Sequence, residues 1–70
     1  MSGMPTLTIR YNGVNYRGDA ETRQECADAV AKMMVDDGFT FPKPWEFWRW
    51  GEGAPSVIVR EALQRELNRQ

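Results

Sequence analysis

The sequence predicts a small α+β domain, a ββαβ antiparallel sheet packed on one helix and followed by a C-terminal helix. Three patterns predict it. Residues 5–11 alternate polar and apolar side chains up to an Asn-Gly pair. Residues 19–37 carry apolar side chains at helical spacing and end on a glycine. Residues 56–69 carry a second helical stripe. A chain of 70 residues is one domain, residues 1–70, with residues 1–4 expected as a flexible start.

In the first strand Leu7, Ile9 and Tyr11 share one face, and Thr6, Thr8 and Arg10 the other. Asn12-Gly13 then supplies the left-handed backbone of a type I′ turn. Residues 14–17 return as the partner strand, with Val14 and Tyr16 on one face, and Gly18 is expected to end it. For the helix over 19–37, Thr22 with Glu25 forms a candidate capping box, and Asp19 is the rival cap. Cys26, Ala27, Val30, Met33 and Met34 make its apolar face; Glu21, Glu25 and Asp28 lie opposite, with Lys32. Gly38 fits the position after the last turn. Asp36 and Asp37 oppose the helix dipole, which calls for a basic neighbour or a partner.

Residues 39–41 form a short strand candidate, and Pro42-Lys43-Pro44 stiffens the chain after it. Residues 45–50 read as a strand with Trp48, Trp50 and Glu46 on one face and Trp45, Phe47 and Arg49 on the other. After a Gly-rich link, Pro55 at N1 or Ser56 as N-cap opens the last helix. Val59, Ala62, Leu63 and Leu67 stripe it, and Glu61, Arg65 and Arg69 form a charged ladder. The β-branched run Val57-Ile58-Val59 leaves a strand start open there.

Composition narrows the function classes. With no histidine and one cysteine, the chain can build neither a Ser–His or Cys–His nucleophile pair nor a histidine or four-cysteine zinc site. No internal disulfide can form. Helical carboxylate spacing offers no calcium loop, so neither metal nor other cofactor is expected, and the protein is read as no enzyme. Cys26, on an apolar helix face, reads as a small core residue. No stretch is long and apolar enough for a membrane span, and residues 1–4 carry no secretory signal, so a cytoplasmic setting and no membrane partner are expected. A core this small rarely supplies more than about 3–5 kcal/mol. Three tryptophans, two tyrosines and three phenylalanines can fill it, with a homodimer open as the other route.

The aromatic residues between 39 and 50 are the most unusual feature. Most of these rings are needed as core, yet a strand with rings on both faces leaves at least one in solvent. Trp45 and Trp48 are the candidates for exposed anchors, with Arg49 beside them. A second candidate contact is the acidic helix face of Glu21, Glu25 and Asp28, read either as a solvated face or as a phosphate mimic. Another protein or protein complex is therefore the favoured partner. The alternative is a nucleic-acid platform built on one sheet face from Tyr11, Tyr16, Trp48, Arg10, Arg17 and Arg49. A net charge of −1 and an isoelectric point near 5.3 weigh against it.

The run Ser56-Val57-Ile58-Val59-Arg60-Glu61-Ala62-Leu63 resembles the second helix of ribbon-helix-helix repressors, where a serine cap precedes such a stretch. The rest of the chain departs from that family, because a hairpin, a longer acidic helix and a Trp-rich segment intervene. No DNA-reading residue is carried over. As a short, acidic, aromatic-rich chain without catalytic residues, the sequence is similar in style to small phage-encoded inhibitors such as anti-CRISPR proteins. That resemblance implies stoichiometric occlusion of a host defence complex.

Overall fold

In the computed structural model, which describes residues 3–70, Thr6–Tyr11 (β1) and Val14–Asp19 (β2) pair antiparallel across Asn12 and Gly13. The flexible start expected over residues 1–4 lies, at residues 1–2, outside the described chain. Asn12 (φ 55°) and Gly13 (φ 82°) both take the left-handed backbone that a two-residue turn requires. The register sets Leu7 opposite Gly18, Ile9 opposite Tyr16 and Tyr11 opposite Val14. These residues share the inner face, where Tyr11 is buried and Leu7, Ile9 and Tyr16 pack on the core. The outer face carries Thr6, Thr8 and Arg10 beside Asn15, Arg17 and Asp19.

Gly18 does not end β2; it sits inside the strand. An added Cβ there would stand 2.5 Å from the Cys26 carbonyl oxygen and 3.0 Å from Val30 Cγ2. The glycine is the point where the helix lies directly on the sheet.

Arg23–Asp36 forms α1. Thr22, not Asp19, is its N-cap: the Thr22 hydroxyl accepts from the Glu25 N–H at 3.1 Å and donates to the Glu25 carboxylate at 3.2 Å. At the other end the Gly38 N–H donates to the Val35 carbonyl and the Phe39 N–H to the Met34 carbonyl, with Gly38 at φ 93°. This is a Schellman motif, and its hydrophobic contact is Phe39 with Met34 in the core. Among the described residues Asp37 forms no ion pair. The Tyr16 hydroxyl donates to it at 2.9 Å. Burial first, then this carboxylate acceptor, raises the Tyr16 pKa above its ordinary 10.0.

Val57–Arg69 forms α2 with Ser56 as N-cap, so residues 57–59 are helical and Pro55 precedes the cap. α1 lies between two layers, the hairpin on one side and α2 on the other, and the α2 backbone comes near neither described strand. Ala27, Ala31 and Ala62 are fully buried alongside Val30, Met34, Val59 and Leu63, which together hold the layers. Met33 departs from its expected place and stays 38% exposed. The class is α+β as predicted, but the sheet has two strands among the described residues. Neither residues 39–41 nor residues 45–50 are extended strands paired to it.

The hairpin's outer face carries a pH dependence. The Thr6 hydroxyl donates to Asp19 at 2.6 Å, and this bond, ahead of the Arg17 charge, holds the Asp19 pKa below its ordinary 3.8. A depressed carboxylate pKa stabilises the fold above the unfolded-state value, and that gain is lost as pH falls through the folded-state value. Urea midpoints of wild type and Thr6→Val protein should therefore differ at neutral pH and converge in acid. A gap that persists in strong acid would assign the stabilisation to something other than this bond.

Candidate functional site

The chain leaving α1 divides its aromatic residues between core and surface. Phe39 is buried, and Phe41 and Trp50 pack half-buried against the core. Tyr11 meets Phe39 and Trp50 edge-on, with ring centroids 4.8 and 4.9 Å apart, and Phe39 meets Phe41 at 5.2 Å. The Tyr11 hydroxyl donates to the Thr40 carbonyl at 3.1 Å, so its one polar atom is satisfied in the cluster.

Residues 45–50, expected as a strand, belong instead to a 3-10 segment, Pro44–Trp50, with a kink at Glu46. Three local features favour the turn. Pro44 sits at its first position, where its fixed φ is already helical. The Lys43 N–H donates to the Glu46 carboxylate at 3.1 Å, closing the first turn. The other Glu46 oxygen pairs with Arg49 at 3.1 Å, closing the second. β-Propensity of the aromatic residues loses because, among the described residues, the one rung this segment shares with the hairpin is the Asn12 N–H donating to the Arg49 carbonyl at 2.6 Å.

That geometry aims three rings outward. Trp45 is 69% exposed, Phe47 75% and Trp48 56%. The backbone of the turn comes near that of β1 and of no other described helix or strand. Lys43 Nζ lies 5.4 Å from the Trp45 ring centroid, and the Arg49 guanidinium 5.3 Å from that of Trp48. Each cation–π contact contributes about 0.5–1 kcal/mol at an exposed site and holds a positive charge on the rim of the ring patch. The Tyr11 hydroxyl first, and Glu46 next, raises the Arg49 pKa above its ordinary value. The guanidinium is thus held between the core cluster and Trp48.

The acidic candidates are placed differently. Glu21 is exposed ahead of α1, and Glu25 is engaged with its cap. Asp28 accepts from Arg65 of α2 at 2.7 Å and from Gln24 at 3.2 Å. Arg65 therefore ties the two helices rather than joining a ladder with Glu61, and Arg69 pairs with Glu66. The backbone of the aromatic turn stays away from α1, and neither Trp45, Trp48 nor Arg49 bonds to Glu21, Glu25 or Asp28, so the two sets do not form one bonded site. Because the Asp28–Arg65 pair is about half exposed, Asp28→Asn should cost no more than ~1 kcal/mol in urea unfolding. It should leave partner binding unchanged; a partner lost with this variant would move the contact to the acidic face.

The nucleic-acid platform does not assemble on one sheet face. Tyr11 and Tyr16 point inward, whereas Arg10 and Arg17 are on the outer face, and Arg17 pairs with Asp19 at 3.4 Å. Cys26 is buried, its thiol 3.2 Å from the Pro5 carbonyl. Among the described residues no group of three potential ligands is placed to hold a metal, and no helix is long and apolar enough to cross a membrane. Phe47, the most exposed ring of the turn, was not among the sequence candidates. The signal that could have found it is Pro44 at N1 with Glu46 two residues on, a helix-start signature inside an aromatic run. Set beside family models, curated proteins and solved structures, the chain matches none of them.

Proposed function

We propose that this chain is a non-catalytic protein-interaction module that covers a partner's surface with the aromatic turn. The observation that carries the reading is the outward display of Trp45, Phe47 and Trp48 on one short, internally braced segment. Large rings held in place lose little entropy on binding, and tryptophan and arginine dominate the energetics of interfaces. Lys43 and Arg49 at the rim favour a partner whose apolar pockets are edged by carboxylates. Stoichiometric inhibition, the mode of the phage-encoded inhibitors the sequence resembles, needs no chemistry beyond such occlusion.

The test compares immobilised wild-type protein with a Trp45→Ala/Trp48→Ala variant as baits for the same lysate. A protein retained by wild type and lost from the folded variant is the expected result. A protein retained equally by both would remove the aromatic turn from the interface. Saturable, salt-sensitive quenching of tryptophan fluorescence by mixed-sequence single-stranded DNA would replace the protein partner with nucleic acid.

A further inference from the structure

Among the described residues, one side of β1 has no strand partner. Across a two-residue turn, Tyr11 and Val14 exchange both backbone hydrogen bonds, and the alternation then runs back along the strands. Leu7, Ile9 and Tyr11 thus bond to β2, while the N–H and C=O groups of Thr6, Thr8 and Arg10 point the other way. Asn12 continues that outward series, and its N–H is taken by the Arg49 carbonyl. Thr8 and Arg10 have no such backbone partner among the described residues. Beside them runs a groove of about 410 Å³, with Thr8, Ile9 and Arg10 on one wall and Trp50, Glu52 and Pro55 on the other.

We propose that this edge and groove bind an extended polypeptide segment of a partner by strand addition, with an acidic residue opposite Arg10. The unpaired amides and carbonyls supply the backbone recognition. Arg10 supplies the charge preference: its cross-strand neighbour is Asn15, and no carboxylate among the described residues pairs with it. Glu52, on the far wall, forms no ion pair with it either. A lone strand fits better than a second copy of this chain. The second copy's β1 would arrive with its own β2 on the far side, where the wall of residues 52–55 stands. The inference rests on the interaction reading but uses residues other than the exposed rings.

The probe is a phage-displayed library of random decapeptides selected on the wild-type protein. Selected peptides are expected to carry Asp or Glu at a fixed position and to slow hydrogen exchange at the Thr8 and Arg10 amides at least about tenfold. Thr8→Pro removes an outward N–H without touching the β1–β2 ladder, and it should weaken these peptides by about tenfold or more. Arg10→Glu should reverse the charge preference. Peptides that protect other amides, or bind the Thr8→Pro and Arg10→Glu proteins as well as wild type, would overturn the proposal, as would a selection that yields none. Should Thr8→Pro fail to fold, amide protection in the wild type decides alone. The Trp45→Ala/Trp48→Ala variant should keep peptide binding, so the edge and the aromatic turn stand or fall separately.

Discussion

Gly18→Ala is expected to cost about 3 kcal/mol and to lower the urea midpoint sharply. The added methyl would meet the Cys26 carbonyl oxygen at 2.5 Å, and that atom is helix backbone, which cannot rotate away as a side chain would. Relief requires α1 to move off the sheet, which would loosen Val30 and its neighbours at the centre of the core. Against the ~3–5 kcal/mol a core this small supplies, the loss takes most of the margin. Gly53→Ala is the control, since a Cβ there would meet nothing within 4 Å among the described residues. Urea unfolding followed by circular dichroism separates the two variants. A Gly18→Ala midpoint equal to that of wild type would mean that the helix does not rest on the strand at this point.

Trp45→Ala and Trp48→Ala are each expected to weaken partner binding by about 2 kcal/mol or more, roughly 30-fold, and to leave the fold almost unchanged. Both rings are more than half exposed, so their removal opens no cavity in the core. Trp50→Ala should do the opposite. Its ring meets Tyr11 at 4.9 Å and Phe39 at 5.8 Å, so truncation should cost stability. Isothermal titration with the captured partner, beside thermal melts of the same three variants, reads both effects. Binding lost with Trp50→Ala while its melt is unchanged, and kept with the other two, would invert the assignment.

The elements carried by local chemistry were legible in the sequence. Asn12-Gly13 specifies its turn through backbone angles that most residues avoid, and Thr22 with Glu25, and Gly38, mark both ends of α1 through their caps. The failures occurred where tertiary context decides. Gly18 is a breaker by local rules, but its missing side chain is what lets strand and helix touch. Residues 45–50 have strand propensity on composition, yet a strand needs a neighbour, and Glu46 instead satisfies the local backbone and braces Arg49 in a turn. The site shared this split. Exposure of Trp45 and Trp48 could be anticipated from the excess of rings over core space, whereas the reason for it, a 3-10 turn and not a two-faced strand, could not. Asp28 looked like a free surface charge because its partner, Arg65, lies 37 positions away on another helix.

The most direct test is fluorine NMR of protein labelled with 5-fluorotryptophan, whose three resonances are assigned by single Trp→Phe substitutions. In the free protein the Trp45 and Trp48 signals should shift between H₂O and D₂O, and the Trp50 signal far less, in keeping with their exposure. On adding the captured partner, the Trp45 and Trp48 signals should move and lose that solvent sensitivity. A partner that binds at full stoichiometry and leaves Trp45 and Trp48 as solvent-sensitive as before would contradict the account, because the aromatic turn would then lie outside the interface.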